Sequence, residues 1–493
     1  MKYLIQADSK ELPNIEAALK IMDPEAEIVA NRPDLALTVT ADPAVMEGAE
    51  TPFSIAVHLH GQDDGFWETR DREILDPRYQ REDRTQRRKE LIRLGIVTVL
   101  GRYFRRRPPW GILSGVRPTK IFHYLRDKGF TAPEIREKLI AIYGLIPGNA
   151  DLLIQIGLGQ ERFFQPGDVV GIYAGIPFCP TRCHYCSFAA VSLETHRHLI
   201  PGFLSGLQRE TEALGRLIRE MGFRVETIYL GGGTPTSLDD RAFAEFLRTL
   251  RGDFQNEALR EFTVEAGRPE TINPRKIEAM VEQGVTRISI NPQSMNQDTL
   301  DRIGRCHSIG AVAEAVRLVK TQSGLRFNMD LILGLPGEGP DLFLDSLRRV
   351  MQFQPDNITI HALAPKKAAS WRRRFAELPL TAAAQLRQAA QEAQEMLVHD
   401  GYQPYYLYRQ RAIVGDLENI GFARPGSESV YNIQMMEERQ TIFGLGAGAV
   451  TKWVTRPDFR VYRLQSPKCP ATYYHTIADT IVKKDQQTRL LLG

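Results

Sequence analysis

Three of the five cysteines in this chain fall within eight residues, in the run Cys179-Pro-Thr-Arg-Cys183-His-Tyr-Cys186. The run follows a short apolar stretch from Val169 to Pro177, so a strand is expected to deliver the thiols to one place. Thiolates at C-x3-C-x2-C spacing suit three irons of a 4Fe–4S cluster and leave the fourth iron without a protein sulfur. A structural zinc site is the alternative. Zinc takes four ligands, usually as two cysteine pairs, and the second pair is missing here. His184 lies too close along the chain to be a comfortable fourth ligand.

An iron corner without thiolate can chelate the amino and carboxylate groups of S-adenosylmethionine and pass an electron to its sulfonium. The carbon–sulfur bond then breaks to give a 5′-deoxyadenosyl radical. An exposed cluster of this kind needs a reducing compartment, and few cysteines in an odd number argue against a disulfide framework. With 493 residues the chain is expected to hold about two to four domains. A net charge of +3 excludes neither an acidic substrate nor nucleic acid, because only local patches then matter. No apolar run reaches bilayer-spanning length, and the N-terminus turns polar too soon for a secretory signal. A cytoplasmic protein with no membrane span is the expectation.

Residues 1–60 read as a small α/β unit, with strands at 2–6, 36–40 and 53–60 and a helix at 10–21. His58 and His60 alternate on one strand face, as solvent-facing residues or as a metal pair. Residues 61–77 are polar and read as loop. The segment 61–165 is otherwise basic and mainly helical, with Arg87-Arg88-Lys89 and Arg105-Arg106-Arg107 flanking an apolar stretch. A solvated helix face is the first reading of that charge, and a polyanion site the alternative, nucleic acid being the less expected partner.

From residue 166 short apolar runs alternate with longer helical ones. Strands are expected at 169–174, 227–230, 261–265, 287–290, 326–333 and 357–361, with helices between them. This predicts an α/β fold in which residues 166–365 form a partial (β/α)6 barrel, closed or nearly closed, and residues 366–493 a C-terminal extension packing on it. Chemistry in such barrels sits at the C-terminal ends of the strands. Gly231-Gly232-Gly233-Thr234-Pro235 follows the second strand, where exposed amides could approach a ligand. Glu265 ends the third strand, Gln293 follows the fourth, Arg305 lies further on, and Asp330 sits in the fifth. Residues 419–432 contain glycine and proline and read as a loop over the barrel mouth.

Together these residues resemble the radical S-adenosylmethionine enzymes of the oxygen-independent coproporphyrinogen III dehydrogenase family. The stretches that carry the likeness are Tyr173-Ala-Gly-Ile-Pro-Phe-Cys179, Tyr229-Leu-Gly-Gly-Gly-Thr-Pro235, Val264-Glu-Ala-Gly-Arg-Pro269, Arg287-Ile-Ser-Ile-Asn-Pro-Gln293 and Asp330-Leu-Ile-Leu-Gly-Leu-Pro336. Trp110-Gly-Ile-Leu-Ser-Gly-Val-Arg-Pro-Thr-Lys120 and Glu437-Glu-Arg-Gln-Thr-Ile-Phe-Gly-Leu-Gly-Ala-Gly448 are similar to the HemZ-like branch. The resemblance implies a 4Fe–4S cluster on Cys179, Cys183 and Cys186 and two S-adenosylmethionines. Tyr173, Gly232, Glu265 and Val450 would surround the cluster-bound molecule. Tyr185, Gly233, Thr234, Gln293, Arg305, Asp330 and Ala364 would contact the second. Tyr173, Glu265 and Arg305 are the positions it implies for catalysis.

The implied reaction is oxidative decarboxylation of two propionates of coproporphyrinogen III to vinyls. The implied partners are a propionate-bearing tetrapyrrole and an electron donor such as a flavodoxin or ferredoxin. The family's dehydrogenases carry a further cysteine two residues past the third, where this chain has Phe188. Phenylalanine there resembles the haem-chaperone branch, for which His361 or His307 could be an axial ligand. A haem-binding chaperone and a radical methyl or methylene transferase therefore stand as alternatives.

Overall fold

The computed structural model describes every residue except 32, 42–52, 61–64, 72–75, 77, 79–80, 116, 322–323, 365, 367–368 and 411–412. Parts of the expected loop at 61–77 and Val116 of the tryptophan–glycine stretch therefore lie outside the described residues. The chain divides into two units, Met1–Leu158 with Arg409–Ala412, and Gly159–Tyr408 with Ile413–Gly493.

The first unit begins with β1 (Lys2–Gln6), α1 (Leu12–Met22), β2 (Glu27–Ile28), β3 (Leu35–Ala41), β4 (Phe53–His60) and β5 (Gly65–Asp71). The strands form one sheet in the order β2-β1-β3-β4-β5. Ile55, Val57 and Leu59 of β4 are buried while the intervening His58 and His60 are partly exposed, the two-residue period of a half-buried strand. His60 is hydrogen-bonded to the Thr38 hydroxyl at 2.7 Å. β5 corrects the loop reading: its polar residues pair with β4 from Phe53↔Asp71 to Leu59↔Gly65. Pairing with an apolar neighbour, more than its own hydrophobicity, makes this segment a strand.

Helix α2 (Arg81–Tyr103) lays Leu91, Ile92, Ile96, Val99 and Leu100 into the core. Its basic run is solvated as the sequence suggests only in part: Lys89 is exposed, as are Arg105, Arg106 and Arg107 just beyond the helix. Arg87 is buried near Glu90 at 3.9 Å, and Arg88 meets Glu11 at 3.5 Å. Three further helices follow: α3 (Thr119–Asp127), α4 (Ala132–Ala141) and α5 (Pro147–Gln160). Thr131 and Glu134 close a reciprocal capping box at the start of α4.

The second unit opens with β6 (Val169–Ile176), then a two-stranded clasp of β7 (Phe178–Cys179) and β8 (Val191–Ser192), then α6 (Leu193–His196) and α7 (Ile200–Glu220). Strands then alternate with helices: β9 (Arg224–Gly232), α8 (Asp240–Phe254), β10 (Glu261–Glu265), α9 (Pro274–Glu282) and β11 (Arg287–Ser289). After α10 (Gln297–Arg302) and α11 (Ile309–Lys320) come β12 (Arg326–Leu333), α12 (Pro340–Gln352) and β13 (Asn357–Ala362). The six strands β6, β9, β10, β11, β12 and β13 are parallel neighbours in sequence order, the partial (β/α)6 arrangement expected. Their near-continuous apolar runs bury both faces, as a helix-covered parallel sheet requires.

The remainder does more than pack on this sheet; it lengthens it at both edges. After α13 (Ala383–His399), β14 (Gln403–Tyr408) and β15 (Asn419–Ala423) add antiparallel strands beside β13. Beyond α14 (Val430–Glu437), β16 (Ile442–Leu445) pairs in parallel with β6, and β17 (Val450–Thr455) and β18 (Arg460–Gln465) follow. The eleven-stranded sheet is therefore open, with β14 and β18 at its edges. Helix α15 (Pro470–Leu492) covers α7, where Lys484 Nζ and the Tyr473 hydroxyl both reach the buried Glu210 carboxylate at 2.6 Å.

β15 overturns the reading of residues 419–432 as a loop over the barrel mouth. All five of its residues are buried, and Gly421 lies under the Tyr406 ring. Any Cβ there would fall 1.8 Å from Tyr406 Cε1. Gly421→Ala is therefore expected to lower unfolding free energy by about 1–3 kcal/mol, the usual cost of overpacking, as read from urea titration. No helix among the described residues is long and apolar enough to cross a membrane.

Candidate active site

The cysteines lie on an excursion that the clasp holds shut. Phe178 pairs with Val191 and Cys179 with Ser192, while the Val191 amide donates to Pro177 O at 2.8 Å. Inside the excursion the His184 amide donates to Ile303 O at 3.0 Å, and the Ser370 hydroxyl donates to His184 O at 3.2 Å. Each thiol has a hydrogen-bond donor: the Thr234 hydroxyl is 3.4 Å from Cys179 Sγ, and Arg268 Nη1 is 3.6 Å from Cys183 Sγ. The Phe188 amide donates to Cys186. Burial first, with the neighbouring Cys186 and Cys183 adding to it, pushes the Cys179 thiol up to about 11 against the Thr234 hydroxyl and the Arg268 charge. Donors directed at sulfur suit thiolates that carry an anionic cluster, so the residues fit a 4Fe–4S group. Among the described residues no three histidine, cysteine or carboxylate side chains, the three thiols included, stand close enough together to hold a single metal ion.

The glycine run works differently from the exposed-amide expectation. The Gly233 amide donates to Ile176 O at 2.7 Å and the Thr234 amide to Phe178 O at 2.8 Å. Gly232 adopts φ +108°, and a Cβ on it would meet the Ile176 backbone at 2.9 Å. A Cβ on Gly233 would fall 2.6 Å from Phe178 O and 3.0 Å from Cys179 Sγ. These glycines let β9 close against the cysteine segment; the free approach of backbone is to the protein itself.

Strand register brings the other expected positions to the same C-terminal end. Tyr173 stands in β6, Glu265 ends β10, Asp330 lies in β12, and Ala364 follows β13. Val450 opens β17 beside Gly444, which pairs with Tyr173. Gln293 sits between strands, its amide donating to Asp330 O at 2.9 Å, with φ +71°. Its side-chain Oε1 is buried without a partner among the described residues, as is Oδ1 of Asn291. Glu265 keeps partial exposure, yet desolvation, then the Asp330 charge, push its carboxyl up to about 8 against a hydrogen bond from the Gly232 amide. A neutral acid and a carboxylate side by side suit hydroxyl and ammonium groups alike.

The sign of that shift gives a test. The protonated form is favoured in the fold, so folding takes up a proton between the ordinary carboxyl value of 4.5 and about 8. Stability should fall as pH rises through this window, by at most about 1.4 kcal/mol per pH unit. Glu265→Gln is expected to flatten this dependence in urea titrations across the window. An unchanged slope would remove the assignment.

Arg305 emerges as a brace. Its guanidinium, 4% exposed, donates to Tyr185 Oη at 3.2 Å, to Asn291 O at 2.6 Å and to Gly267 O. It thereby joins the cysteine excursion to the ends of β10 and β11. Tyr185 packs among Leu300, Ile303, Ile332, Leu335 and Leu363. Sequence reasoning did not single out Arg268, although it lies within a quoted motif, nor the stacked Tyr229 and Tyr431, 4.3 Å apart, beside Tyr173. It also missed the Asp330–His361–Tyr408 chain, in which His361 Nε2 is 3.5 Å from Asp330 and Nδ1 is 3.0 Å from the Tyr408 hydroxyl. The tyrosines at two-residue spacing were the available signal for that chain. His307 is buried, and desolvation followed by the nearby Arg305 charge lowers it to about 3.

Comparison with known proteins gives a consistent picture. The model of the Radical SAM superfamily matches residues 173–350. The chain is 39% identical over 373 residues to the oxygen-independent coproporphyrinogen-III oxidase-like protein HemZ of Bacillus subtilis (strain 168), a match covering 74% of each chain. It is 30% identical over 307 residues to the heme chaperone HemW of Escherichia coli (strain K12), covering 61% of this chain and 74% of that one. Among solved structures it is similar in fold to coproporphyrinogen III oxidase (HemN) from Escherichia coli, described as a radical SAM enzyme. That likeness has a TM-score of 0.52 at 22% identity, covering 66% of this chain and 73% of the other.

Proposed function

Since the chain belongs to the radical S-adenosylmethionine superfamily, and within it to the oxygen-independent coproporphyrinogen-III oxidase-like family, we propose that it oxidatively decarboxylates two propionates of coproporphyrinogen III to vinyls. The observation that supports this reading is that three thiols, each with a hydrogen-bond donor, follow the first strand at the end of the parallel sheet where Glu265, Gln293 and Asp330 also lie. When bound, the cluster and S-adenosylmethionine supply a carbon radical able to take a hydrogen atom. Tyr173, Gly232, Glu265 and Val450 are the positions proposed to hold the S-adenosylmethionine on the cluster. Tyr185, Gly233, Thr234, Gln293, Arg305, Asp330 and Ala364 are proposed for a second. Tyr173, Tyr229 and Tyr431 wall the site and exclude water from reactive carbon. In the substrate a hydrogen atom leaves the carbon β to the carboxylate. Carbon dioxide departs, one electron passes to an acceptor, and the vinyl group remains. Reducing equivalents for the cluster would come from a flavodoxin or ferredoxin type of donor.

A heme-chaperone reading has its own support in the HemW relatives and in Phe188, 64% exposed two residues past Cys186. Anaerobic reconstitution followed by incubation with coproporphyrinogen III and reductant separates the readings. The expected result is deoxyadenosine and protoporphyrinogen IX rising together. Deoxyadenosine without vinyl product removes the substrate assignment. Stable haem binding without turnover places the chain with the chaperones, and adenosylhomocysteine with an alkylated product marks a transferase.

A further inference from the structure

The opposite end of the parallel sheet holds a second concave site. Glu261, Arg287 and Arg326 are the first residues of the neighbouring strands β10, β11 and β12. With Arg162, Arg260 and Glu428 they line a cavity of about 620 Å³, within the size range of small-molecule sites. Four guanidiniums thus face two carboxylates, and both carboxylates are already engaged. Glu261 accepts from the Ser429 hydroxyl and the Val430 amide, each at 2.9 Å, and Glu428 pairs with Arg162 at 2.5 Å.

The cations are less fully used. Arg260 meets Glu226 through Nη1 at 3.1 Å, with its side chain 47% exposed. Arg326 is exposed and makes no side-chain hydrogen bond or ion pair among the described residues. Arg287 is 1% exposed and spends Nη1 on Asn328 Oδ1 at 2.7 Å and on Asn357, and Nη2 on Ser427 O at 2.8 Å. Its Nε is buried with no hydrogen-bond partner among the described residues, and a carboxylate oxygen of Glu261 is 3.6 Å away. A purely structural role for Arg287 explains its bonds to strands β12 and β13 but leaves the cavity and Arg326 without purpose.

We propose that this cavity binds a small, multiply charged anion through phosphate or carboxylate oxygens, held by Arg260 and Arg326 above the floor formed by Arg287. Guanidinium is suited to such oxygens by its charge and its planar fork of donors. The site stands apart from the thiols, at the other end of the strands, and does not depend on which reaction they serve.

Calorimetric titration of the reconstituted protein with inorganic pyrophosphate, and separately with citrate, tests the proposal. At least one of them is expected to bind saturably at one per chain. Arg326→Glu should weaken that binding by about tenfold or more, and Arg260→Gln, which keeps a donor for Glu226, by a smaller factor. Binding of pyrophosphate alone assigns phosphate chemistry, and binding of citrate alone assigns carboxylate chemistry. Cluster absorption and S-adenosylmethionine cleavage should be unchanged in Arg326→Glu, which separates this outcome from any failure of the active-site reading. The proposal is overturned if neither anion binds up to about 10 mM, or if binding is indifferent to both substitutions.

Discussion

Cys183→Ala is expected to give a folded protein that lacks the broad visible absorption of an iron–sulfur cluster and no longer cleaves S-adenosylmethionine. Two cysteines cannot hold three irons, and no spare thiol lies within the excursion. The fold should persist because Cys183 is only partly buried and contacts Arg268 through a single long bond of 3.6 Å. Iron and sulfide analysis after anaerobic reconstitution reads the loss, and far-ultraviolet circular dichroism checks the fold. Cys306→Ala is the matched control: this exposed thiol lies 3.9 Å from the Thr181 hydroxyl and should be dispensable for the cluster. A full complement of iron in Cys183→Ala, or its loss in Cys306→Ala, would falsify the ligand assignment.

Arg305→Ala should be the most damaging change that touches no thiol. It strips the partner from two backbone carbonyls and from the Tyr185 hydroxyl in a place where Arg305 is 4% exposed. Buried acceptors left unsatisfied cost about 1–3 kcal/mol each, so a loss of about 3–5 kcal/mol in unfolding free energy is expected. Because the same side chain tethers the cysteine excursion to the ends of β10 and β11, cluster retention should fall with stability. Arg305→Lys should recover only part of either, since one ammonium cannot reach three acceptors set in different directions. Full recovery by lysine would show that charge, not the brace, is what matters.

The six parallel strands were readable because each is a compact apolar run between amphipathic helices, and that periodicity is a property of the local chain. The cysteine spacing was equally local. β5 and β15 were misread for one shared reason: pairing with another strand, not their own apolar pattern, stabilises them, β4 for the polar Gly65–Asp71 and β13 with β14 for Asn419–Ala423. Glycine at 421 looked like a turn signal, but its use is to admit the Tyr406 ring. The triple glycine likewise looked like a ligand cradle, but the nearest neighbours of Gly232 and Gly233 proved to be Ile176, Phe178 and the Cys179 sulfur, and those of Gly231 the Glu265 carboxylate and the Tyr229 ring.

From its residues alone, then, this chain determines an alternating strand–helix core with a three-thiol excursion after the first strand, because hydrophobic period and ligand spacing are written along the backbone. The tertiary structure alone decides which groups surround those thiols. Arg268 reaches Cys183 from 85 positions away. Asp330 and His361 come within 3.5 Å across neighbouring strands. Burial of Glu265, with the charge of Asp330 from a separate strand adding to it, keeps that acid protonated near neutral pH. Such encounters depend on strand register and burial, and both exist only once the sheet has formed.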